Sequence, residues 1–159
     1  MATFGLGRST ATASAQEEIE PCTPWIAAAD GKLDLLQASL SKLNIPVTAA
    51  DENGYTLLQA AASYGQIPVM QWILAQNAVD VNAVDNEGDT ACHYAGSLDT
   101  LKMLIEVGKS SPFVKNREGK TPLEAKQEEL KQLKEDDEED SDSEDVVTLQ
   151  QQVQYLSNL

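Results

Sequence analysis

The chain has 159 residues, a formal net charge of −15 and a pI near 4.2. A chain this acidic lacks the clustered lysines and arginines that bind phosphates, which argues against DNA, RNA or an anionic membrane as a direct partner. Aromatic residues make up only 5% of the chain. The core must therefore be built mainly from aliphatic residues and alanine, which favours packed helices and an all-α fold.

The N-terminal residues 1–19 are rich in alanine, serine and threonine and contain one basic residue, Arg8. One interpretation is an organellar targeting peptide, but a single basic residue favours the other interpretation, a disordered leader. Two cysteines, Cys22 and Cys92, occur without a signal-peptide core, so we expect reduced thiols and a location in the cytoplasm and/or the nucleus. No apolar stretch approaches the roughly 20 residues that span a bilayer.

Residues 20–134 contain a pattern that returns every 31 to 34 residues. A threonine opens each helix-like segment, and a short turn with glycine at its fourth position precedes the last three threonines. Glycine at that position indicates a backbone with positive φ. The threonines are Thr23, Thr56, Thr90 and Thr121, and the turns are residues 51–55, 85–89 and 116–120.

Each repeat predicts two helices. In the second repeat, Thr56 can cap an alanine-rich inner helix, and the apolar residues from Ile67 onward have the spacing of an outer helix. Pro68 falls in the first turn of that outer helix, where its missing N–H is tolerated. One helix pair cannot bury its own apolar face, so the pairs must stack.

This combination of turn, threonine and helix pair resembles the ankyrin repeat, and Asp-Val-Asn-Ala at 80–83 matches the exit of that repeat. The overall order is similar to that of small ankyrin-repeat proteins of fungi and other simple eukaryotes. The resemblance implies an ankyrin-repeat solenoid with β-turn or hairpin fingers, in about four repeats including caps. The implied repeats cover residues 20–50, 51–84, 85–115 and 116–134.

The resemblance also implies a function, because in this family the turn tips and the exposed inner-helix positions line a concave groove that binds a partner protein. Tyr55 and Tyr64 are the expected anchors, since tyrosine is frequent at interface hot spots. The implied partner-binding residues are Glu52, Asn53, Tyr55, Ser63, Tyr64, Asn86, Glu87, Asp89, Arg117, Glu118 and Lys120.

The third repeat is about three residues shorter than the second, because Tyr94-Ala95-Gly96 runs directly into the next helix-like segment. This predicts a shorter inner helix or turn, and with it a bend in the stack or a notch. The fourth repeat continues from Thr121 as a charged segment to Lys134, which predicts a single helix acting as a polar cap.

His93 is the only histidine and follows Cys92, so a Cys–His nucleophile pair has to be considered. Adjacent helical residues point about 100° apart and do not face each other. We therefore interpret His93 as a structural, hydrogen-bonding residue and the chain as a protein without enzymatic activity. The spacing of cysteine and histidine supports no zinc site, and no phosphate-binding loop occurs, so no metal or cofactor is expected. Trp25 and Trp72 are interpreted as core residues.

Residues 135–145 comprise nine acids and two serines, which predicts disorder. The segment is either a solubilising tail or an attraction for a basic partner. Ser141 has Glu144 three positions later, which resembles the sites of acidophilic kinases of the casein kinase 2 type. Ser143 is a second candidate for phosphorylation.

Residues 146–159 predict an amphipathic helix with Val146, Leu149, Val153 and Leu156 on one face. Three interpretations remain open: a helix that docks on a partner or on the stack, a short coiled-coil seam, or a weak export-like signal. For the whole chain we expect a monomeric adaptor or scaffold that binds a protein partner. The alternative is a chaperone or escort of a basic client, such as a histone or a ribosomal protein, that uses the acidic tail.

Overall fold

The computed structural model describes residues 19–136 and 143–159. The expected leader, apart from Ile19, and the central part of the acidic segment therefore lie outside the described residues. Within the described ranges the chain forms eight α-helices, a π-helical turn and no strand, and none of these helices is long and apolar enough to cross a membrane. The helices are α1 (Thr23–Ala29), α2 (Leu33–Leu43), α3 (Leu57–Ser63), α4 (Ile67–Leu74), α5 (Ala91–Tyr94), α6 (Leu98–Lys102), α7 (Pro122–Asp136) and α8 (Glu144–Leu156), and the π-helical turn is Met103–Val107.

The helices form a single stack of pairs, each made of an inner and an outer helix. The inner helices α1, α3, α5 and α7 pack against one another in chain order. Each also packs against an outer element: α2, α4, the π-helical turn that continues α6, and α8. This arrangement confirms the all-α solenoid that the repeat pattern predicts.

A continuous apolar core runs between the two rows of helices. Small side chains on the inner helices, such as Ala27, Ala61 and Ala91, are almost fully buried and allow the helices to approach closely. Larger side chains on the outer helices, such as Leu36 and Ile73, are buried against them. No helix pair encloses this core alone, so neighbouring repeats stabilise one another.

The three turns at 51–55, 85–89 and 116–120, which we call the fingers, share one hydrogen-bond pattern. In the first finger, one carboxylate oxygen of Asp51 accepts the N–H groups of Asn53 and Tyr55 at 2.9 and 2.8 Å. Asp85 and Asn116 make the equivalent pairs of bonds in the other two fingers. The glycine of each finger has a φ between 76° and 81°. Local side-chain chemistry therefore fixes the shape of each finger.

Neighbouring fingers are joined by their backbones. The N–H of Asn86 donates to the carbonyl of Asn53 at 2.8 Å, and the N–H of Arg117 donates to the carbonyl of Glu87 at the same distance. The fingers therefore stack in a row along one edge of the molecule.

A side chain of each of the first three inner helices also reaches the following finger. Trp25 donates its Nε1–H to the carbonyl of Tyr55 at 2.8 Å, and Gln59 donates its amide to the carbonyl of Asp89 at 2.6 Å. In the third repeat, Nε2 of His93 lies 3.1 Å from the carbonyl of Lys120. His93 therefore occupies the structural role that the sequence analysis assigns to it.

The third inner helix is short, as the missing residues predict. α5 has four residues, whereas α1 and α3 have seven each. After α5 the chain passes so close to the end of α3 that a Cβ on Gly96 would lie 2.2 Å from the carbonyl oxygen of Ser63. Only glycine fits this crossing.

The fourth repeat is larger than the sequence predicts. α7 reaches Asp136, and α8 begins at Glu144 with Ser143 as its N-cap, so helix enters both ends of the segment for which disorder is expected. α8 packs against α7 and α6 and serves as the fourth outer helix. α8 packs there because the apolar residues on one of its faces are buried against the stack. The buried face differs from the predicted one at two positions: it includes Gln152, and Val153 is only half-buried.

Candidate functional site

Six of the eleven predicted partner-binding residues meet in one groove, which we call the finger groove. It has a volume of about 640 Å³ and lies between the second and third fingers on one side and α7 on the other. The predicted residues that line it are Asn86, Glu87, Asp89, Arg117, Glu118 and Lys120, and the structure adds His93, Tyr94, Asn116, Ala125, Glu128, Glu129 and Gln132.

The two predicted tyrosine anchors differ in their availability. The side chain of Tyr64, at the end of α3, is 68% exposed. Tyr55 is half-buried, its hydroxyl lies 2.8 Å from the hydroxyl of Ser63, and its ring meets the edge of Tyr94 with 5.0 Å between the centroids. Tyr64 is therefore available to a partner, whereas Tyr55 is largely occupied by internal contacts.

Tyr94 is a lining residue that the sequence analysis did not assign. Its hydroxyl donates to a carboxylate oxygen of Asp85 at 2.6 Å, which connects α5 to the second finger. Burial, followed by this bond to a carboxylate, raises the pKa of Tyr94 far above its ordinary value. The Tyr94 hydroxyl therefore stays protonated and acts as a fixed donor in the wall of the groove.

Lys120 is held by two acids across the finger groove. Its Nζ lies 2.7 Å from a carboxylate oxygen of Glu118 and also pairs with Glu128 of α7. Hydrogen bonds to these two carboxylates raise the pKa of Lys120, and the bond to Lys120 lowers the pKa of Glu118. This network connects the third finger to α7, and it neutralises one of the basic side chains that line the groove.

The lining of the finger groove is acidic. Five carboxylates line it, against the two bases Arg117 and Lys120. Since Lys120 is already paired with two of these acids, the remaining potential favours a ligand with positive charge.

A second groove, which we call the α8 groove, lies where the third repeat is short. It has a volume of about 530 Å³ and includes one predicted residue, Ser63. Its other walls come from α5, from α7 and from α8, and sequence reasoning did not assign these residues to the site. They are His93, Tyr94, Ala95, Gly96, Lys126, Glu129, Leu133, Asp145, Thr148, Leu149 and Gln152.

Two buried polar side chains meet at one carbonyl oxygen beside the α8 groove. Nζ of Lys126 and Nε2 of Gln152 each donate to the carbonyl of Ala95 at 2.8 Å. Lys126 is 3% exposed and Gln152 is 1% exposed. Burial lowers the pKa of the Lys126 amine. The available sequence signal was the position of Gln152 in the apolar stripe of α8, since a polar residue at a buried position requires a partner.

The remaining predicted residues lie apart from both grooves. Glu52 and Asn53, in the first finger, line a depression at the N-terminal end of the stack together with Pro21, Trp25 and Ile45. Of the two candidate phosphorylation sites, Ser141 lies outside the described residues, and Ser143 caps α8 by accepting the N–H of Val146 at 3.4 Å.

Cys92 and His93 do not form a nucleophile pair. The Cys92 thiol donates to the hydroxyl of Ser110 at 3.3 Å, and Nδ1 of His93 accepts the N–H of Thr90 at 3.0 Å. Burial raises the pKa of the Cys92 thiol, which disfavours the reactive thiolate. In residues 19–136 and 143–159, no group of three or more histidine, cysteine, aspartate or glutamate side chains is arranged to hold a metal ion.

Comparison with known proteins gives one family and two relatives. A family model for ankyrin repeats in three copies matches residues 25–116. The ankyrin repeat-containing protein P1E11.10 of Schizosaccharomyces pombe is 39% identical over 95 residues, which are 60% of this chain and 45% of that protein. The mitochondrial liver isoform of glutaminase from Rattus norvegicus is 46% identical over 52 residues, which are 31% of this chain and 9% of that protein.

The chain thus spans less than half the length of either relative. Since the likeness to the glutaminase covers 9% of that enzyme, it carries no argument for glutaminase activity in this chain.

Proposed function

Because the chain belongs to the ankyrin-repeat family, whose repeats are generally protein-protein interaction modules, we propose that it is an adaptor or scaffold that binds a partner protein through the finger groove and Tyr64. The main support is the convergence of six predicted contact residues, from two successive fingers, on one groove. The exposed ring of Tyr64 offers a large, rigid contact surface with a polar end, which is the chemistry of an interface hot spot.

The experiment compares partners recovered by the wild-type protein with those recovered by two variants. Tyr64→Ala removes the exposed ring, and Arg117→Ala with Glu87→Ala removes charge at the tips of two fingers. The control is Gln127→Ala, which changes an exposed residue of α7 that does not line the finger groove. Affinity purification followed by mass spectrometry is the readout. Equal recovery of every partner by all of these proteins contradicts binding through this surface.

A second candidate function is escort of a basic client. It is favoured by the acidic lining of the finger groove. Part of that lining comes from α7, and the same helix leads into the acidic segment 135–145. Both would attract a basic polypeptide and speed its association at low salt.

Deleting the whole acidic segment is a poor test, because its two ends belong to α7 and α8. Substituting only the acids at positions 137–140 and 142 by their amides removes five charges and keeps the chain length. Escort predicts weaker binding of a basic client such as a histone and a smaller dependence of that binding on salt. Unchanged binding and an unchanged salt dependence contradict it. Either function agrees with a location in the cytoplasm or the nucleus, which fluorescence microscopy of a tagged chain would test.

A further inference from the structure

α8 is separated from its inner helix, α7, by a longer connection than any other outer helix is from its own inner helix. It follows α7 after residues 137–143, and it packs against α7 and α6. The outer elements of the first three repeats follow their inner helices within a few residues. α8 therefore belongs to the stack by docking rather than by a short connection.

Specific contacts hold α8 in place. Val146, Leu149 and Leu156 are each less than 7% exposed, and Gln152 lies between them on the same face and bonds to the carbonyl of Ala95. At the far end, the hydroxyl of Tyr155 donates to Glu106 at 2.9 Å. A polar residue in an apolar stripe that finds one buried partner fixes the register of docking.

That partner exists because the third repeat is short. α5 ends at Tyr94, and the carbonyl of Ala95 receives its hydrogen bonds from two side chains, Lys126 and Gln152. The bond that positions α8 therefore depends on the early end of α5, which is shorter than the inner helices α1 and α3.

Three features favour an α8 that can leave the stack by itself. A helix of 13 residues has marginal stability by itself. Within the described residues α8 packs mainly against α7 and α6, and elements with few neighbours open at a lower free energy than elements packed on both sides. The nine acids at 135–145 also concentrate like charge at the connection between α7 and α8, and their repulsion opposes closure.

The consequence lies in the α8 groove. Asp145, Thr148 and Gln152 of α8 form one of its walls, and Ser63 at the end of α3 also lines it. We propose that α8 is a releasable wall of this groove, which docks through Gln152 and leaves the stack without unfolding the first three repeats. Release removes the wall and uncovers the faces of α6 and α7 beneath it. The release itself is independent of the proposed adaptor function. Any effect of release on partner binding rests on that function, and linkage then requires a ligand of the complete groove to favour docked α8.

Hydrogen exchange followed by mass spectrometry on the full chain tests the release without any partner. In the wild-type protein, the backbone amides of α8 should exchange faster than those of α3. Gln152→Ala removes the bond to Ala95 and should accelerate exchange in α8 by about tenfold or more, while α3 keeps its wild-type rate. The matched control is Gln151→Ala, which removes the same side chain from the adjacent, exposed position and should change neither helix.

A second variant, Leu149→Ala, weakens the apolar contact instead of the hydrogen bond and should give the same pattern. The proposal is overturned if α8 and α3 exchange at the same rate in the wild-type protein. It is equally overturned if Gln152→Ala and Leu149→Ala accelerate both helices by the same factor, because α8 would then open only together with the whole stack. Since neither measurement involves a partner, a failure of the release proposal is distinct from a failure of the proposed adaptor function.

Discussion

The imidazole of His93 joins the third repeat to the fourth, with Nε2 lying 3.1 Å from the carbonyl oxygen of Lys120. Its Nδ1 accepts the N–H of Thr90, so Nε2 carries the proton and acts as the donor. Gln59 makes the same two bonds one repeat earlier, where its Oε1 accepts the N–H of Thr56 and its Nε2 donates to the carbonyl of Asp89. Two different side chains therefore perform one linking function.

This equivalence predicts the effect of substituting His93. His93→Ala leaves the Thr90 N–H and the Lys120 carbonyl without these partners and should lower the free energy of unfolding by about 1–3 kcal/mol. His93→Gln supplies an acceptor and a donor at the same position and should recover most of that loss. Urea denaturation measures both variants, and an equal loss in the two would contradict the linking role.

The glycines of the fingers offer a second comparison. Gly88 and Gly119 have similar positive φ values of 81° and 77°, so alanine is strained by about 1–2 kcal/mol at either position. A Cβ on Gly88 would also lie 2.9 Å from the backbone nitrogen of Arg117, whereas a Cβ on Gly119 meets no atom of the described residues within 4 Å. Gly88→Ala should therefore destabilise the protein by roughly 1–3 kcal/mol more than Gly119→Ala does. Equal midpoints in thermal denaturation would show that contact between the fingers does not contribute.

Tyr55 and Tyr64 should separate stability from binding. Tyr55→Ala removes the edge contact with Tyr94 and the bond to Ser63, and we expect it to cost about 2 kcal/mol, less than for a fully buried aromatic residue. Tyr64→Ala changes a 68% exposed side chain and should alter stability by no more than about 0.5 kcal/mol. Chemical denaturation gives both values. A large loss of stability in Tyr64→Ala would mean that its ring packs internally and is not free for a partner.

Lys126 should give the stability a specific pH dependence. Burial lowers the pKa of its amine in the folded protein from the ordinary value of 10.5. Between the lowered pKa and 10.5 the unfolded chain binds more protons at this position than the folded chain, so the contribution of Lys126 to stability rises with pH across that window. The unfolding free energy of the wild-type protein minus that of Lys126→Met should therefore increase from neutral pH toward pH 10.5.

Taking this difference removes the effect of groups that both proteins share and that Lys126 does not perturb. Cys92, whose raised pKa acts in the opposite direction, interacts with Lys126, so both proteins carry Cys92→Ala in this measurement. The comparison variant is Lys131→Met, at a side chain that is 73% exposed. A difference between wild type and Lys126→Met that stays flat or falls over this range would contradict a buried, destabilised charge at Lys126.

The acidic segment predicts a selective phosphorylation site. Ser141 has an acid three positions later, whereas Ser143 has Val146 there and caps α8. A kinase of the casein kinase 2 type should therefore incorporate phosphate into the wild-type protein and into Ser143→Ala, and much less into Ser141→Ala. Site mapping by mass spectrometry checks this result. Incorporation that depends on Ser143 alone would reverse the assignment.

The repeats were predictable because the chemistry that specifies each finger is local. A carboxylate or amide, a glycine three positions later and a capping threonine lie within six residues, so each finger can be read from a short window. The role of α8 was not fixed in the same way, because an apolar stripe at helical spacing fits a partner, a coiled coil or the stack equally well.

The finger groove shows the same limit. Its finger residues follow from the repeat pattern, but Glu128, Glu129 and Gln132 join them only because α7 is long enough to pass beside the fingers. Sequence periodicity identifies which face of α7 is apolar, but not which polar positions border a neighbouring turn. The position of Gln152 opposite Ala95 also depends on contacts between residues 57 positions apart.

The open space beside Gly119 leaves room for the array to lengthen. Since a Cβ there meets no atom within 4 Å in the part of the chain that the structure describes, another turn seated on residues 116–120 would not collide with this glycine. A further repeat that uses this space would have to follow the fourth one, with its finger seated beyond residues 116–120, because the face toward residues 85–89 is already occupied. Lengthening of this array by repeat duplication would therefore begin at the open face of the third finger.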